Sequence, residues 1–262
     1  MKRVLFLSLV SILVCFSNFS MAYTNSFTLN FESAGDTAGW SDSVNTPATT
    51  IVTGETTPAD SPAYSPTPLT GAGYNSTAWM RIGQPGGDYY GIGLAIYDGT
   101  AGGSTTDPVN YTIEADVFVV IHATLRFQMG LAGRWTSASG NFPFELFHSV
   151  NVGQPDGYGF RSGGSTAQYG LFPAETTNRW VHMKMKFHDA LVDVAIDNNM
   201  DGTDDYTQND ISLTATSGKA GFFSVINDLG SGGTGIPNQF SYFDNFKFTP
   251  EPAAAVNDWV LY

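Results

Sequence analysis

The segment Asp197-Asn198-Asn199-Met200-Asp201-Gly202-Thr203-Asp204-Asp205 sets oxygen-bearing side chains at Asp197, Asn199, Asp201 and Asp205, with glycine in the sixth position. A hard divalent cation such as Ca2+ gathers about six to eight oxygens. Gly202 allows the sharp turn that lets oxygens converge, and Thr203 offers its main-chain carbonyl. Asp197, Asn199, Asp201, Thr203 and Asp205 are therefore candidate ligands of a structural Ca2+ at the tip of a hairpin. The same composition also builds an ordinary Asn/Asp/Gly-rich β-turn without metal, and both readings stand at this point.

A second constellation comes from strand parity. Between Tyr111 and Ile121, the apolar set Tyr111, Ile113, Ala115, Val117, Val119 and Ile121 alternates with Thr112, Glu114 and Asp116. Between Thr124 and Leu131, the set Leu125, Phe127, Met129 and Leu131 alternates with Arg126 and Gln128. If these two strands pair in one sheet, Glu114, Asp116, Arg126 and Gln128 share its polar face, where carboxylates, a guanidinium and an amide can bind sugar hydroxyls. Trp79 and Trp135 are the candidate rings to stack on the apolar face of a sugar. The plainer alternative is a solvated sheet with cross-strand ion pairs and its tryptophans in the core. Glu114 and Asp116 also invite a hydrolytic reading, because alternate residues of a strand can supply the carboxylate pair of a retaining glycosidase. His122, His148, His182 and His188 show no metal-ligand spacing, and neither a nucleophile elbow nor a phosphate-binding glycine loop is present.

The elements that must position these residues are strands. The chain has 29 Gly, 13 Pro and 14% aromatic residues, and no stretch after the N-terminal segment has a helical period. It therefore reads as an all-β, antiparallel two-sheet sandwich of many strands separated by turns. Phe27, Leu29 and Phe31 share one face of a first strand. Val181, Met183, Met185 and Phe187 do so later, and Val192, Val194 and Ile196 continue the pattern. Each strand is expected to keep one wet face. Residues from about Asp42 to Thr70 are rich in Thr, Pro, Ser and Ala, and their repeated prolines forbid a central strand, so a long surface loop is expected there.

The ends and the bulk composition bear on location. Lys2-Arg3, the apolar run Val4 to Phe16, and Ser20-Met21-Ala22 have the three-part plan of a secretory signal peptide over residues 1–22, too short for a comfortable membrane span. Cys15, the only cysteine, falls inside it, so the exported protein has no disulfide and must rely on its core or on metal. The single domain expected over residues 23–249 is long enough to bury a sizeable core. Residues 250–262 read as an ordinary tail, although Pro250-Glu251-Pro252 is similar to the start of some surface-sorting signals. The formal charge of −13 excludes nucleic acid as a partner, since phosphate binding needs a basic surface. No membrane span remains after signal cleavage.

Asn30-Phe31-Glu32 with Gly39-Trp40, and Phe240-Ser241-Tyr242-Phe243-Asp244-Asn245-Phe246-Lys247-Phe248 near the other end, together resemble the opening and closing strands of concanavalin A-like jelly rolls. That superfamily includes lectins, glycan-binding modules, laminin G-like adhesion domains, glycosidases and lyases. The resemblance implies terminal strands lying side by side, and a structural Ca2+ held by Glu32 and Asp244. Glu114-Ala115-Asp116 resembles the start of the Glu-x-Asp-x-x-Glu strand of jelly-roll glucanases, but Val119 stands where the third carboxylate would fall. The Asp197–Asp205 segment is similar to the first nine positions of an EF-hand or dockerin loop and then departs from it, with Gln208 in the twelfth position and no flanking helices. No catalytic residue is assigned. The sequence thus predicts a secreted, bacterial, calcium-stabilised module that binds a polysaccharide or cell-surface glycan. A divergent glycoside hydrolase or polysaccharide lyase on the same fold, or a structural surface protein, is the alternative.

Overall fold

The computed structural model describes residues 25–37, 39–43, 50–52, 69–71, 74–76, 78–83, 88–89, 91–97, 107–121, 126–136, 144–150, 154–163, 167–227, 236–237 and 241–251. The expected signal peptide, most of the Pro/Thr-rich segment and the tail beyond Glu251 lie outside them. In chain order the first strands are β1 (Phe27–Leu29), β2 (Trp40–Ser43), β3 (Thr50–Val52), β4 (Leu69–Gly71), β5 (Tyr74–Ser76), β6 (Met80–Gly83), β7 (Asp88–Tyr89) and β8 (Gly91–Tyr97). The longer strands follow: β9 (Tyr111–Val119), β10 (Arg126–Trp135), β11 (Phe144–Val150), β12 (Gly157–Arg161), β13 (Gln168–Phe172), β14 (Arg179–His188), β15 (Leu191–Asp197) and β16 (Tyr206–Ser212). The last are β17 (Lys219–Asn227), β18 (Ile236–Pro237) and β19 (Ser241–Pro250).

These strands form the antiparallel two-sheet sandwich that the alternating pattern predicts. One sheet has the order β16-β15-β14-β9-β19-β6-β3, with β1 also paired to β19; the other runs β13-β12-β11-β10-β17-β8-β2. The inward sets read from the sequence are the core: Ile113, Ala115 and Val117 of β9, Phe127, Met129 and Leu131 of β10, and Met183, Met185 and Phe187 of β14 are fully buried together. The segment from Asp42 to Thr70 is not loop throughout. Thr50–Val52 makes the edge strand β3 on β6, between Pro47 and Pro58 and at a sheet margin, where proline-rich chain can leave a sheet without breaking a ladder.

The first and last of the described strands meet as the terminal signature implies. β1 pairs antiparallel with β19, Phe27 opposite Phe248 and Leu29 opposite Phe246, and the rings of Phe27 and Phe248 stack at 5.5 Å. From the other sheet, Trp40 stacks on Phe222 at 5.0 Å, and Phe222 on Phe243 at 4.3 Å. Phe246 meets Trp40 edge-on at 5.1 Å. The signature residues are thus the aromatic rivet between the sheets, each such ring pair adding about 0.5–1.5 kcal/mol beyond its buried area.

Two expectations are corrected. β9 pairs with β14 and β19, and β10 with β11 and β17, so the two strands expected to be neighbours lie in different sheets. The outer faces of the central strands are not wet either: Thr112, Asp116 and Phe118 of β9 are buried, as are Gln128 of β10 and Glu145, Phe147 and Ser149 of β11. Central position in each sheet flanks these residues with large side chains from both neighbouring strands, and these cover them.

Candidate functional site

Glu114 and Asp116 project from the outer face of the β9 sheet. Register places His182 opposite Asp116 on one side, and Asp244 opposite Asp116 and Lys247 opposite Glu114 on the other. The His182 ring is clamped between two carboxylates, Nδ1 at 2.7 Å from Asp116 Oδ1 and Nε2 at 3.3 Å from Glu114 Oε2. Two acceptors require two N–H donors, so the ring is an imidazolium. Burial alone would lower its pKa, but the hydrogen bonds to Asp116 and Glu114 prevail and raise it to about 9. The His182 hydrogen bond, against the opposing effect of burial and with help from Lys247, holds the Glu114 carboxyl down to about 2. Asn245 Nδ2 donates to the remaining Asp116 oxygen at 2.7 Å. With a doubly held imidazolium as its only histidine and with Asp116 fully buried, this cluster is a closed polar network that ties β9, β14 and β19 together.

Gln128 lies on the far side of the molecule. It is on the outer face of the β10 sheet, 2% exposed, with Nε2 donating to Ser149 Oγ at 3.2 Å. Nearby, Arg161 grips Glu145 through two hydrogen bonds of 2.6 and 2.7 Å and lies over the Phe223 ring at 5.6 Å. Phe147, Phe223, Val225 and Ala132 form a second apolar cluster on this face, with Trp135 half-buried against it. The expected shared face is thereby overturned. Glu114 and Asp116 point away from one sheet and Gln128 away from the other, with the core of about 10 Å between the sheets, so they cannot touch one ligand. Arg126 pairs through its backbone with Asn227, and its side chain is outside the described residues. Trp79 is 0% exposed and meets Trp180 edge-on at 6.2 Å, so it is a core residue and has no face to offer a sugar.

The segment expected to bind Ca2+ is a turn whose side chains accept its own N–H groups. Asp197 accepts from Asn199 at 3.3 Å, from Asp201 at 3.2 Å and from Gly202 at 2.6 Å. Asn199 accepts from Asp201, Asp201 from Thr203, and Asp205 from Asn198. Gly202 has φ +87°, and a Cβ added there would meet no atom within 4 Å, so conformation and not space calls for glycine. As folded, Asp197, Asp201 and Asp205 do not bring ligand atoms within 4.8 Å of one another; among the described residues only His188, Asp193 and Asp210 form such a group. Of the pair implied by the terminal signature, Glu32 accepts the Ala78 N–H at 3.0 Å, while Asp244 is fully buried beside Asp116 and accepts the Asn245 N–H at 2.7 Å.

The open surface is elsewhere. β13 and β16 each form one edge of their sheet, and they lie at the same margin of the sandwich. Stacking of Phe172 on Tyr206 at 5.1 Å closes one end of that margin. The other end opens into a cleft of about 440 Å3 floored by Phe160 and Ile211, with Gln168, Gln208, Asn209 and Asp210 among its walls. At Asn209 and Asp210 the β15–β16 ladder shifts register. Asp210 takes φ +56° there and gives its N–H to Asp193 Oδ1 at 2.9 Å. Burial would raise the Asp193 pKa, but that N–H together with His188 and Lys186 lowers it. Sequence reading missed these residues. Parity alone places His182 and His188 outward on β14, but the partners facing them come from strands distant in the chain.

No protein-family model matches this chain, and no curated protein does. Solved structures do match. The exoplasmic/lumenal domain of VIP36 in its Ca2+/Man2-bound form is similar at 9% identity and a TM-score of 0.50, over 89% of this chain and 90% of that one. The CBM2 module of the evolved Dit of Lactobacillus casei BL23 phage J-1 matches at 13% identity and a TM-score of 0.46, over 85% of this chain and 95% of the module. A galectin-like-fold protein of unknown function from Bacillus subtilis matches at 11% identity and a TM-score of 0.46, over 85% and 94%. The chain has the lectin-like jelly-roll fold, an antiparallel β-sandwich. Among the described residues no helix is long and apolar enough to cross a membrane.

Proposed function

We propose that this protein is an exported glycan-binding or surface-adhesion module and that the sugar occupies the cleft between the β13 and β16 edges. The observation that carries the reading is that cleft: an accessible hollow of about 440 Å3 in which amide, hydroxyl and carboxylate groups stand over a Phe160 and Ile211 floor. Amides donate and accept at once, which suits neighbouring sugar hydroxyls, and the apolar floor suits the C–H face of the ring. VIP36, which shares the fold, was solved in a Ca2+/Man2-bound form, in keeping with this reading. Calcium belongs to it as a stabiliser, with Glu32 and Asp244, and the Asp197–Asp205 turn, as the places proposed. The turn fits the ion only if its carboxylates rotate off their N–H partners.

A glycan array followed by titration of the best ligand tests the cleft. Gln168→Ala and Gln208→Ala should each weaken binding about tenfold, the equivalent of about 1.4 kcal/mol, with unchanged melting temperature. Affinity that survives both substitutions sinks the cleft as the site. Release of shortened oligosaccharides would instead favour the hydrolase or lyase alternative.

A further inference from the structure

We propose that His188, Asp193 and Asp210 form a binding site for a first-row divalent metal ion of the zinc type. The three residues come from β14, β15 and β16, consecutive strands joined by short turns, so the site is assembled within one meander of the sheet. One ligand atom from each lies within 4.8 Å of the other two, and His188 Nε2 is 3.1 Å from Asp193 Oδ1. Tetrahedral zinc with bonds of about 2.0–2.2 Å needs ligand atoms roughly 3.3–3.6 Å apart, so the histidine–aspartate edge is already close to the required length. The Nε2 atom is shut off from solvent, although the ring edge itself is partly exposed, and Asp193 Oδ1 is the polar atom that faces it. On loading, the metal takes the place of the proton between these two atoms and uses the Nε2 lone pair.

The donor set selects the class of ion. One imidazole nitrogen with two carboxylates suits zinc and its neighbours, whereas Ca2+ would find too few oxygens. Three protein ligands leave a position for water or another ligand, and Asp210 also lines the cleft. Two features oppose loading. Lys186 sits across from Asp193, and its charge must turn toward solvent, which its exposure allows. Asp193 Oδ1 must share its existing contact with the Asp210 N–H.

Calorimetric titration of the chelator-treated full chain with ZnCl2 should show one ion bound per chain at micromolar or tighter affinity, with no competition from equimolar CaCl2. His188→Ala and Asp210→Asn should each weaken zinc binding at least tenfold, and Asp204→Asn should not. Because a variant can misfold, the unmodified protein supplies a second readout. Co2+ should give an intense visible d–d band that zinc bleaches, and zinc should move the His188 imidazole 15N resonances. Absence of zinc binding, binding that survives both substitutions, or unmoved His188 resonances would overturn the site.

Discussion

Two histidines on the same fold are pushed in opposite directions by what surrounds them. His148 is fully buried against the Tyr158 ring, and its Nε2 accepts the Glu175 N–H at 3.3 Å. Burial and the nearby Arg179 lower its pKa to about 3. The folded state therefore refuses a proton that the unfolded chain takes below its ordinary value of 6.5, and stability falls as pH drops from there toward 3. The greatest slope from one such group is about 1.4 kcal/mol per pH unit. His182 works the other way. Its pKa is raised to about 9, so its contribution is complete below pH 6.5 and is lost as pH rises through 9. Denaturant unfolding across pH should therefore show a shallower acid limb in His148→Gln and a flatter stretch from neutral to pH 9 in His182→Gln. Imidazole NMR provides the check: His148 and His182 both titrating near 6.5 would contradict the burial argument for His148 and the carboxylate clamp on His182.

At the scale of elements, the ladders decide which glycines are required. A Cβ on Gly130 would lie 1.9 Å from the Leu146 carbonyl oxygen and 2.7 Å from Phe147 Cα. β10 and β11 can approach as they do only because that atom is missing. Gly202 presents the opposite case, with open space around it but φ +87°. Gly130→Ala must push a central strand away from its neighbour and should cost at least about 1–3 kcal/mol. Gly202→Ala should cost only the left-handed strain, about 1 kcal/mol. Chemical denaturation of both variants ranks them, and an equal or reversed order would show that β10 and β11 do not approach so closely. Phe222→Ala, which removes the ring between Trp40 and Phe243, should lose about 3–5 kcal/mol by the same measurement.

For the whole molecule, the question is what holds a disulfide-free sandwich closed at its termini. The β1–β19 pairing and the Trp40, Phe222, Phe243 and Phe246 rings do so by packing. A bound ion would add its binding free energy to folding, about 2.7 kcal/mol at a concentration a hundredfold above its dissociation constant. If Ca2+ is held as proposed, the melting temperature rises from chelator to millimolar calcium. Asp201→Asn removes the rise if the turn binds, and Asp244→Asn removes it if the terminal site does. An unchanged melting temperature would discard both sites.

The strands and their inward faces were legible in the order of residues alone, because a period of two is a local property. Tyr111, Ile113, Ala115, Val117 and Val119 had to share one side of a strand whatever its neighbours were. The meeting of β1 and β19 was implied by the resemblance of Asn30-Phe31-Glu32 and the Phe240–Phe248 strand to the terminal strands of concanavalin A-like jelly rolls, a likeness of motif and not of local period. Pairing partners are different, because they depend on contacts between segments far apart in the chain. Parity is indifferent to whether β9 lies beside β10 or across the core from it. Folding in three dimensions put Glu114 and Asp116 around His182 while sending Gln128 to the opposite face. It also brought Gln168 and Gln208, on the edges of two different sheets, to the walls of one cleft, a juxtaposition that no local period encodes.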